Sequence, residues 1–428
     1  MKINRKNDNS SLRLEAESTG RTVIEILMER VEYLAKKENS RCTLFAACPN
    51  SEMVLKAAIR SAKKADAPIL FAATLNQVDI DGGYTGWKQS DLIRKIKEES
   101  YRIDYDGPSI VGIDHGGPWA KDKQAIEKWD LKSSMEWTKE SFEAAALAGY
   151  DLIHVDPTVD IFNKIKIESV AERTIELIGH VETFRKLKNL KPITYEVGTE
   201  EVHGGLADLS IFRKFLTLLK DGLREKDLGK IWPVFIVARV GTDLHTSTFD
   251  PGTAKKVVKI AGEYGSYIKG HYTDFVDNPQ DYPKSGIGAA NVGPEFTILE
   301  FEAIEKLCRI EEKLFKENRI GIRSELMEVL EKAVLDSGRW KKWLLNGEDD
   351  FNSIDNRRKE WIIKTSTRYV WADPEVKCCQ QRLYANLSLN GIDSENIVLC
   401  NIEKGMDKYF RVFNLIDLNS RLGRLVTL

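Results

Sequence analysis

Short apolar runs alternate with longer amphipathic stretches along most of the chain. The apolar runs lie at residues 42–48, 67–74, 108–114, 150–156, 192–198, 232–240, 265–270 and 289–293. In the stretches between them, such as SEMVLKAAIRSAKKA, apolar residues recur three and four positions apart, the spacing of a helix with one buried face. Several of these stretches end in Gly, as a helix C-cap does. The pattern predicts eight strands separated by helices.

Apolar strands joined by helix-length crossovers are typical of a parallel sheet that is covered by helices. Eight such units favour a (β/α)8 barrel over an open doubly wound sheet. An open sheet would normally carry a glycine-rich phosphate loop after its first strand, and that position here reads CPNSEM. We therefore predict an α/β protein, a (β/α)8 TIM barrel with a C-terminal helical extension.

Three segments are expected along the chain. Residues 1–20 are polar and predict a flexible N-terminal tail, residues 21–300 predict the barrel, and residues 301–428 predict a mainly helical extension packed on it. The helical pattern begins near Ile298 and contains the tryptophans at positions 340, 343, 361 and 371. We interpret this extension as a stabilising or oligomerising cap and expect a homo-oligomer.

Composition narrows the class of protein. Hydrophobic residues make up 42% and charged residues 30% of the 428 positions, which is typical of a globular protein. The net charge of −2 provides no basic field for nucleic acid or anionic membrane. The N-terminus lacks the apolar core of a signal peptide, and the six cysteines show no CxxC spacing. We expect a cytoplasmic protein with free thiols, no nucleic-acid partner and no membrane partner.

Polar residues follow the predicted strands, where barrel enzymes carry their chemistry. In chain order they are Asn50, Asn76, Gln77, Asp114, His115, Asp156, Glu200, Glu201, His245, His271 and Asn291. Three histidines among them follow strands three, six and seven, and imidazoles that converge on a barrel mouth favour a metal site. A single strand-end histidine is more often a simple hydrogen-bonding group. Asp156 could equally cap the next helix.

The other three histidines have different expected environments. His154 lies within an apolar strand and is expected to be a core residue, whereas His180 lies in a helix and is expected at a surface or interface. His203 is close enough to the mouth to be a rival ligand. The segment DGGYTGW at residues 81–87 is either a flexible surface loop or a lid that contacts substrate through backbone amides or Tyr84.

Long motifs distributed over nearly the whole chain resemble a known family. They are NQVDIDGGYTGW, GIDHGGPWA, YEVGTEEVHGG, GHYTDF, NVGPEFT and GRWKKWL. They resemble the non-catalytic subunits of class II D-tagatose-1,6-bisphosphate aldolase, a family that includes stand-alone D-tagatose-6-phosphate 4-epimerases. The resemblance implies either an enzyme or an accessory protein that stabilises a separate aldolase subunit.

The wider class II aldolase superfamily implies roles for individual positions. Asp114 and Glu200 resemble its catalytic carboxylates, and the strand-six ligand matches with one residue inserted. The implied metal ligands are His115, His245 and His271. The implied cofactor is a divalent metal, with zinc favoured and manganese, nickel or cobalt as alternatives. The expected substrate contacts are Asn50, Gln77, Tyr84, Asp156, Asp274 and Asn291.

The chain departs from that superfamily after strand seven. Bisphosphate aldolases hold a phosphate there with a His-Gly-Gly-Ser segment, whereas His271 is followed by Tyr272, Thr273 and Asp274. A carboxylate would repel a phosphate but accept hydrogen bonds from an unphosphorylated hydroxymethyl group. The expected substrate is therefore a ketose or ketose phosphate without a C1 phosphate. An unphosphorylated ketose and a uronate are alternative substrates that also fit this expectation.

Together these features imply a metal-dependent 4-epimerase that interconverts D-tagatose 6-phosphate and D-fructose 6-phosphate by cleaving and re-forming the C3–C4 bond. The absence of a dinucleotide fingerprint disfavours hydride transfer. The alternatives are a non-catalytic aldolase subunit and an epimerase or aldolase for another ketose. Lys88, Arg239 and the extension are candidates for binding the 6-phosphate.

Overall fold

Eight short parallel strands pair in the order of the sequence, and the eighth pairs with the first to close a barrel. The computed structural model describes residues 10–199, 206–243, 248–345, 347–348 and 350–423. The strands are β1 (Leu44–Ala47), β2 (Ile69–Thr74), β3 (Ser109–Gly116), β4 (Leu152–Val155), β5 (Thr194–Gly198), β6 (Phe235–Val237), β7 (Tyr267–Gly270) and β8 (Ala289–Val292). Seven of them lie within predicted apolar runs, and β3 extends two residues beyond the run at 108–114, so the (β/α)8 barrel is confirmed.

The apolar runs form strands because the barrel shields them on both faces. Every residue of β1, β4, β5, β6 and β8 is buried. Parallel strands covered by helices outside and packed side chains inside lack a solvated face, which explains why they read as continuous runs rather than as alternating patterns. The charged residues that do occur inside these strands therefore require a separate explanation.

Helices precede and connect the strands. They are α1 (Ser10–Thr19), α2 (Val23–Glu38), α3 (Glu52–Ala65), α4 (Gln89–Arg102), α5 (Asp122–Ile126), α6 (Leu131–Ala148), α7 (Ile167–Leu187), α8 (Leu209–Glu225), α9 (Pro251–Glu263), α10 (Asp281–Ser285) and α11 (Pro294–Lys316). Their ends follow capping rules: the Ser51 side chain accepts from the N–H of Val54, and Gly149 ends α6 in the left-handed conformation. Within the described ranges, no helix has the length and apolar composition of a membrane span.

The remaining helices belong to the C-terminal extension. They are α12 (Leu326–Ser337), α13 (Asn356–Ser366), α14 (Pro374–Ser388), α15 (Ser394–Val412) and α16 (Leu418–Gly423), with 3₁₀ helices at Arg339–Trp343 and Thr367–Tyr369. The extension packs on the barrel through aromatic side chains: Tyr409 stacks on Phe45 of β1 at 5.6 Å, and Phe410 meets the same ring edge-on at 5.2 Å. Helix α11 crosses the boundary predicted at residue 300.

The N-terminal segment differs from the flexible tail predicted for residues 1–20, because residues 10–19 form α1. Leu12 and Ala16 of this helix are buried. Arg13 donates to both carboxylate oxygens of Asp151 at 2.7 and 3.1 Å, and Lys191 donates to the same carboxylate at 2.6 Å. Polar sequence around a few apolar positions concealed a helix that packs at the start of β4.

We expect Asp151→Asn to lower the free energy of unfolding at pH 7 by about 2 kcal/mol. Burial acts to raise the pKa of Asp151, but Lys191 and Arg13 outweigh it and lower the pKa to about 2. Stabilisation by a carboxylate with a depressed pKa is complete above its unfolded-state pKa near 4 and is lost as pH falls toward 2. The difference in the free energy of unfolding between wild type and variant should therefore become smaller over that pH range.

Urea denaturation at a series of pH values measures this difference. The matched control is Asp221→Asn, at an exposed position of α8. A difference of the same size at pH 7 and at pH 2.5 would show that the ion pairs of Asp151 do not stabilise the fold.

Candidate metal centre and active site

One cavity of about 330 Å³ lies where the strands end, between the barrel and the C-terminal extension. Nine of the residues predicted to form the site line it: Asn50, Gln77, Tyr84, Asp114, His115, Asp156, His271, Asp274 and Asn291. Glu200, His203 and His245 lie outside the described residues. Lys88 and Arg239, suggested as phosphate contacts, are not among the residues around this cavity.

His115 reaches the cavity from an irregular end of β3. The pairing of β3 with β4 shifts register between Ile113 and Gly116, and His115 has a φ of +47°. A non-glycine residue in the left-handed region carries strain that the surrounding structure must offset. The His115 N–H donates to His154 Nδ1 at 3.1 Å, which helps to hold this conformation.

The two glycines after His115 allow the ends of β3 and β4 to approach closely. A Cβ on Gly117 would lie 2.0 Å from the Asp156 carbonyl oxygen, and a Cβ on Gly116 would lie 2.5 Å from the Phe142 ring. Any larger residue would push the two strand ends apart. The GIDHGG motif is therefore a packing requirement that brings His115 to Asp156.

Buried carboxylates determine which nitrogens of two histidines carry protons. His115 Nδ1 lies 2.6 Å from Asp156 Oδ2, and His271 Nε2 lies 2.8 Å from Glu196 Oε1. Since an ionised carboxylate only accepts hydrogen bonds, these ring nitrogens are the protonated ones. In the neutral rings the other two nitrogens, His115 Nε2 and His271 Nδ1, are unprotonated, and they face each other at 3.1 Å.

This arrangement fits a divalent metal. Two nitrogen lone pairs pointing at each other repel, whereas a cation between them binds both. Zinc–nitrogen bonds of about 2.0–2.1 Å in a tetrahedron separate neighbouring ligand nitrogens by about 3.3 Å, close to the distance between His115 and His271. Carboxylates behind metal-binding imidazoles are the usual support for such ligands. The residues present could therefore hold a metal ion.

The charge of the cluster also suits a cation. Lys269 donates to Glu196 at 2.7 Å and is the one cation described within the buried cluster, which also holds the carboxylates of Asp114 and Asp156. Burial acts to raise the pKa of Glu196, but Lys269 and His154 outweigh it and lower the pKa to about 2. Three ionised carboxylates against one lysine leave the site negative around its imidazoles.

His271 is held in the form that binds metals. Burial lowers the pKa of His271 to about 4, against the opposing effects of the Asp114 and Glu196 carboxylates. The imidazole is therefore neutral at pH 7 and offers a lone pair. Burial acts to raise the pKa of Asp114, but electrostatic interactions with the His271 and His115 rings outweigh burial and hold the pKa well below its usual value, so this carboxylate stays ionised.

His154 is buried, as predicted for a core histidine, but its surroundings are polar. Its ring centroid lies 5.2 Å from the rings of both His115 and His271, and its Nδ1 is 3.7 Å from Glu196 Oε1. Among the described residues, its Nε2 has no hydrogen-bond partner. His154 is thus part of the cluster. His180, half-buried in α7, pairs instead with Glu143 at 2.7 Å.

Asp156 holds the candidate metal ligand His115 in position. One carboxylate oxygen contacts His115, and the other accepts from the Thr158 hydroxyl at 2.5 Å. Burial acts to raise its pKa, but the hydrogen bond from His115 and the charge of that ring outweigh burial and lower the pKa to about 2. Both oxygens already accept hydrogen bonds, so Asp156 supports His115 in addition to lining the cavity.

Three further predicted contacts bind one another. Asn50 Oδ1 accepts from Gln77 Nε2 at 2.5 Å and from the Tyr84 hydroxyl at 3.0 Å, while Asn50 Nδ2 donates to the Gly293 carbonyl at 2.8 Å. These side chains connect the ends of β1 and β2 to the loop after β8. They shape the cavity wall, and their mutual hydrogen bonds leave them less available to a substrate.

The loop at 81–87 lies against the end of β2. Gly83 has a φ of +54°, and a Cβ there would lie 2.3 Å from the Gln77 carbonyl oxygen. This close approach requires glycine and places the Tyr84 ring on the cavity, where it meets Tyr369 of the extension at 5.2 Å. The loop therefore connects the barrel mouth to the extension.

Asn291 and Asp274 differ in the groups they leave available. Asn291 Nδ2 donates to Asp114 at 3.0 Å, and its buried Oδ1 has no hydrogen-bond partner among the described residues. Such an acceptor on a cavity wall suits a substrate hydroxyl. Asp274 Oδ1 instead accepts from the N–H groups of Gly293 at 2.9 Å and Glu295 at 2.7 Å, at the start of α11.

Sequence reasoning missed one group of residues and named a second only as the extension, without its individual residues. Glu196 and Lys269 lie within β5 and β7, and the signal for them was a charge inside a run that is otherwise buried. The second group comes from the extension: Arg339, Lys342, Trp343, Arg368 and Tyr369 line the cavity. Their role depends on tertiary packing, which a local pattern does not contain.

Comparison with known proteins places the chain in a wider context. A family model described as D-tagatose-1,6-bisphosphate aldolase subunit GatZ/KbaZ-like matches residues 30–408. A probable tagatose 6 phosphate kinase from Sinorhizobium meliloti 1021 is similar in structure with a TM-score of 0.70 and 21% identity, covering 86% of this chain and 100% of that chain. Fructose-bisphosphate aldolase (Fba) from Campylobacter jejuni has a TM-score of 0.50 and 12% identity, covering 92% and 95%. At these identities both structures support the fold alone.

We expect His271→Ala to lose bound metal, because it removes one of the two facing nitrogens. Metal content after loading with zinc and dialysis, measured by mass spectrometry, should fall from about one ion per chain to a small fraction of that. His180→Ala, in α7 and away from the cavity, is the control and should keep its metal. Equal zinc retention by both variants would exclude the proposed ligand.

We expect Glu196→Gln to weaken zinc binding by about 10- to 100-fold, because the amide no longer fixes the His271 proton or balances Lys269. The matched control is Glu300→Gln, a buried glutamate of α11 that accepts from Ser51 at 2.6 Å. Burial raises the pKa of Glu300 to about 8, so glutamine there resembles the native neutral form. Competition with a chromogenic chelator measures both affinities, and an unchanged affinity in Glu196→Gln would contradict a supporting role.

Proposed function

This chain belongs to the GatZ/KbaZ-like family of D-tagatose-1,6-bisphosphate aldolase subunits, and from that membership we propose that it is a metal-dependent ketose-phosphate 4-epimerase. It interconverts D-tagatose 6-phosphate and D-fructose 6-phosphate. The observation that carries the proposal is the facing pair of unprotonated nitrogens on His115 and His271, beside the ionised carboxylate of Asp114. Burying such groups costs stability. A protein that acts only as a scaffold gains nothing from them.

The proposed reaction begins with loss of a proton from the C4 hydroxyl. Asp114 accepts this proton, since its carboxylate is ionised and lines the cavity. Glu200, outside the described residues, is the alternative base. The electron pair left on the C4 oxygen forms the second carbon–oxygen bond of the aldehyde as the C3–C4 bond breaks, and the fragment that keeps C3 takes up the electron pair of the broken bond. Rotation of the aldehyde and re-formation of the bond return the proton and invert C4.

The metal site supports this chemistry. A divalent metal supplies Lewis-acid stabilisation of the negative charge that develops during C3–C4 cleavage. We propose zinc, held by His115 and His271 with His245 as a third ligand, because imidazole nitrogens suit zinc. Asp156 and Glu196 keep the two described imidazoles oriented, and burial keeps His271 neutral. Asn291 Oδ1 accepts a hydrogen bond from a substrate hydroxyl next to Asp114.

Asp274 favours an unphosphorylated C1 end. The N–H groups of Gly293 and Glu295, at the start of α11, would otherwise suit a phosphate, but both already donate to this carboxylate. Burial, helped by Glu295, raises the pKa of Asp274 to about 7 against those backbone hydrogen bonds. The charge on Asp274 therefore depends on pH, whereas its occupation of the donors does not. A bisphosphate lacks its binding groups here.

The test is an assay of the purified chain alone, loaded with zinc, on D-tagatose 6-phosphate. We expect D-fructose 6-phosphate without free triose, no triose from D-tagatose 1,6-bisphosphate, and loss of activity on chelation. Asp114→Asn should lower kcat by about 100-fold or more, because it removes the base. Asp221→Asn, on the surface of α8, is the control.

Other outcomes have distinct meanings. Triose release from the bisphosphate would show an aldolase and contradict the role given to Asp274. A chain that is silent alone but raises the activity or stability of a separate aldolase subunit would be the accessory protein that the family description names. Activity that survives Asp114→Asn would point to another base.

A further inference from the structure

The wall of the cavity opposite the barrel carries three cations from the extension. Arg339 and Lys342 belong to one 3₁₀ helix, and Arg368 belongs to the other. All three line the cavity whose barrel side holds the histidines. The two sides therefore differ in charge: the barrel side is acidic and suits a metal, and the extension side is basic.

Arg368 is a buried cation that makes no direct contact with a described carboxylate, although the charge of Asp274 acts on it. The residue is 6% exposed. Its guanidinium donates hydrogen bonds to the Tyr369 hydroxyl at 2.9 Å and to the Thr365 hydroxyl at 3.5 Å. Among the described residues, no carboxylate oxygen lies within 4.0 Å of its guanidinium. Since burying an uncompensated charge is costly, a cation in this position is well suited to an anionic ligand.

Aromatic rings hold this guanidinium in place. It lies 4.8 Å from the ring centroids of both Trp343 and Tyr369. Arg339 lies 4.8 Å from the Tyr369 ring and 5.2 Å from the Tyr84 ring. These contacts fix the donors before a ligand binds, which reduces the entropy lost on binding.

The other two cations share a single carboxylate. Arg339 pairs with Asp122 at 2.6 Å, and Lys342 contacts the second oxygen of the same side chain. The wall formed by these residues and Arg368 therefore keeps an excess of positive charge. The pKa of Tyr369 reflects this excess of positive charge. Burial acts to raise the pKa of this phenol, but the charges of Arg368 and Lys342 outweigh burial and lower the pKa.

We propose that Arg368, together with Lys342 and Arg339, binds the terminal phosphate of the ketose phosphate. The planar fork of Arg368 matches two phosphate oxygens, and Lys342 supplies a point charge. This inference rests on the proposed function and adds the site that distinguishes a phosphorylated ketose from a free one. Since Asp274 already occupies the N–H donors at the start of α11, we assign the phosphate to C6.

The first test measures binding without catalysis. Inorganic phosphate is titrated into the zinc-loaded chain while tryptophan emission is recorded, because Trp343 lies against Arg368. Arg368→Lys keeps the charge but loses the fork, and Lys342→Gln changes a partly exposed side chain with little risk to folding. Each should weaken phosphate binding by about tenfold or more, since a charge-assisted hydrogen bond is lost. Arg382→Gln, exposed on α14, is the control.

The second test separates substrates. With D-tagatose 6-phosphate, Arg368→Lys and Lys342→Gln should raise KM by about tenfold or more, whereas kcat/KM for unphosphorylated D-tagatose should stay at the wild-type value. Equal losses with both sugars would overturn the proposal, as would unchanged phosphate binding in both variants. A loss confined to D-tagaturonate would mean that the wall binds a carboxylate and would overturn the assignment of a phosphate.

These outcomes are distinguishable from failure of the proposed function. If the chain has no epimerase activity but its phosphate binding still depends on Arg368, the proposed reaction is wrong and the anion site is supported. An active epimerase whose KM is the same in both variants would keep the reaction and lose the anion site.

Discussion

Two hydrogen bonds that buried carboxylates accept from histidines determine what this barrel can bind. Asp156 and Glu196 fix the protons of His115 and His271 on the nitrogens that face away from the cavity. Without them either imidazole could turn or change tautomer, and the facing nitrogens would no longer form one site. The bulge in β3, the close approach at Gly117 and the ion pair of Glu196 with Lys269 all serve to place these two carboxylates.

Much of the architecture could be predicted from the sequence, because burial on both faces of a parallel strand leaves a visible signature. All eight apolar runs contain a strand, and nine of the predicted site residues line one cavity, since strand ends in a barrel converge. What could not be predicted is which polar groups contact one another. Asp156 and Asn50 lie at the predicted place but bind neighbours, and that depends on distances in three dimensions.

The charges inside the barrel were harder to find for a related reason. Glu196 and Lys269 lie in short strands that are otherwise largely apolar. The sequence of such a strand does not show whether a charged residue is paired inside the barrel or marks the end of the strand. The strand register brings these side chains together. His154 of β4 lies beside Glu196 of β5, and Lys269 of β7 donates to Glu196. Only the closed barrel brings these positions together.

The cavity draws its two sides from distant parts of the chain, and this has a consequence for synthesis. His115 and Asp114 leave the ribosome long before Arg368, which is followed by 60 further residues. The strands of the barrel are complete by residue 292, yet α15 and α16 still have to dock before the wall is in place. Until the extension has docked, the barrel would expose its acidic cluster to the solvent, and the cavity is complete only when both parts of the chain are in place.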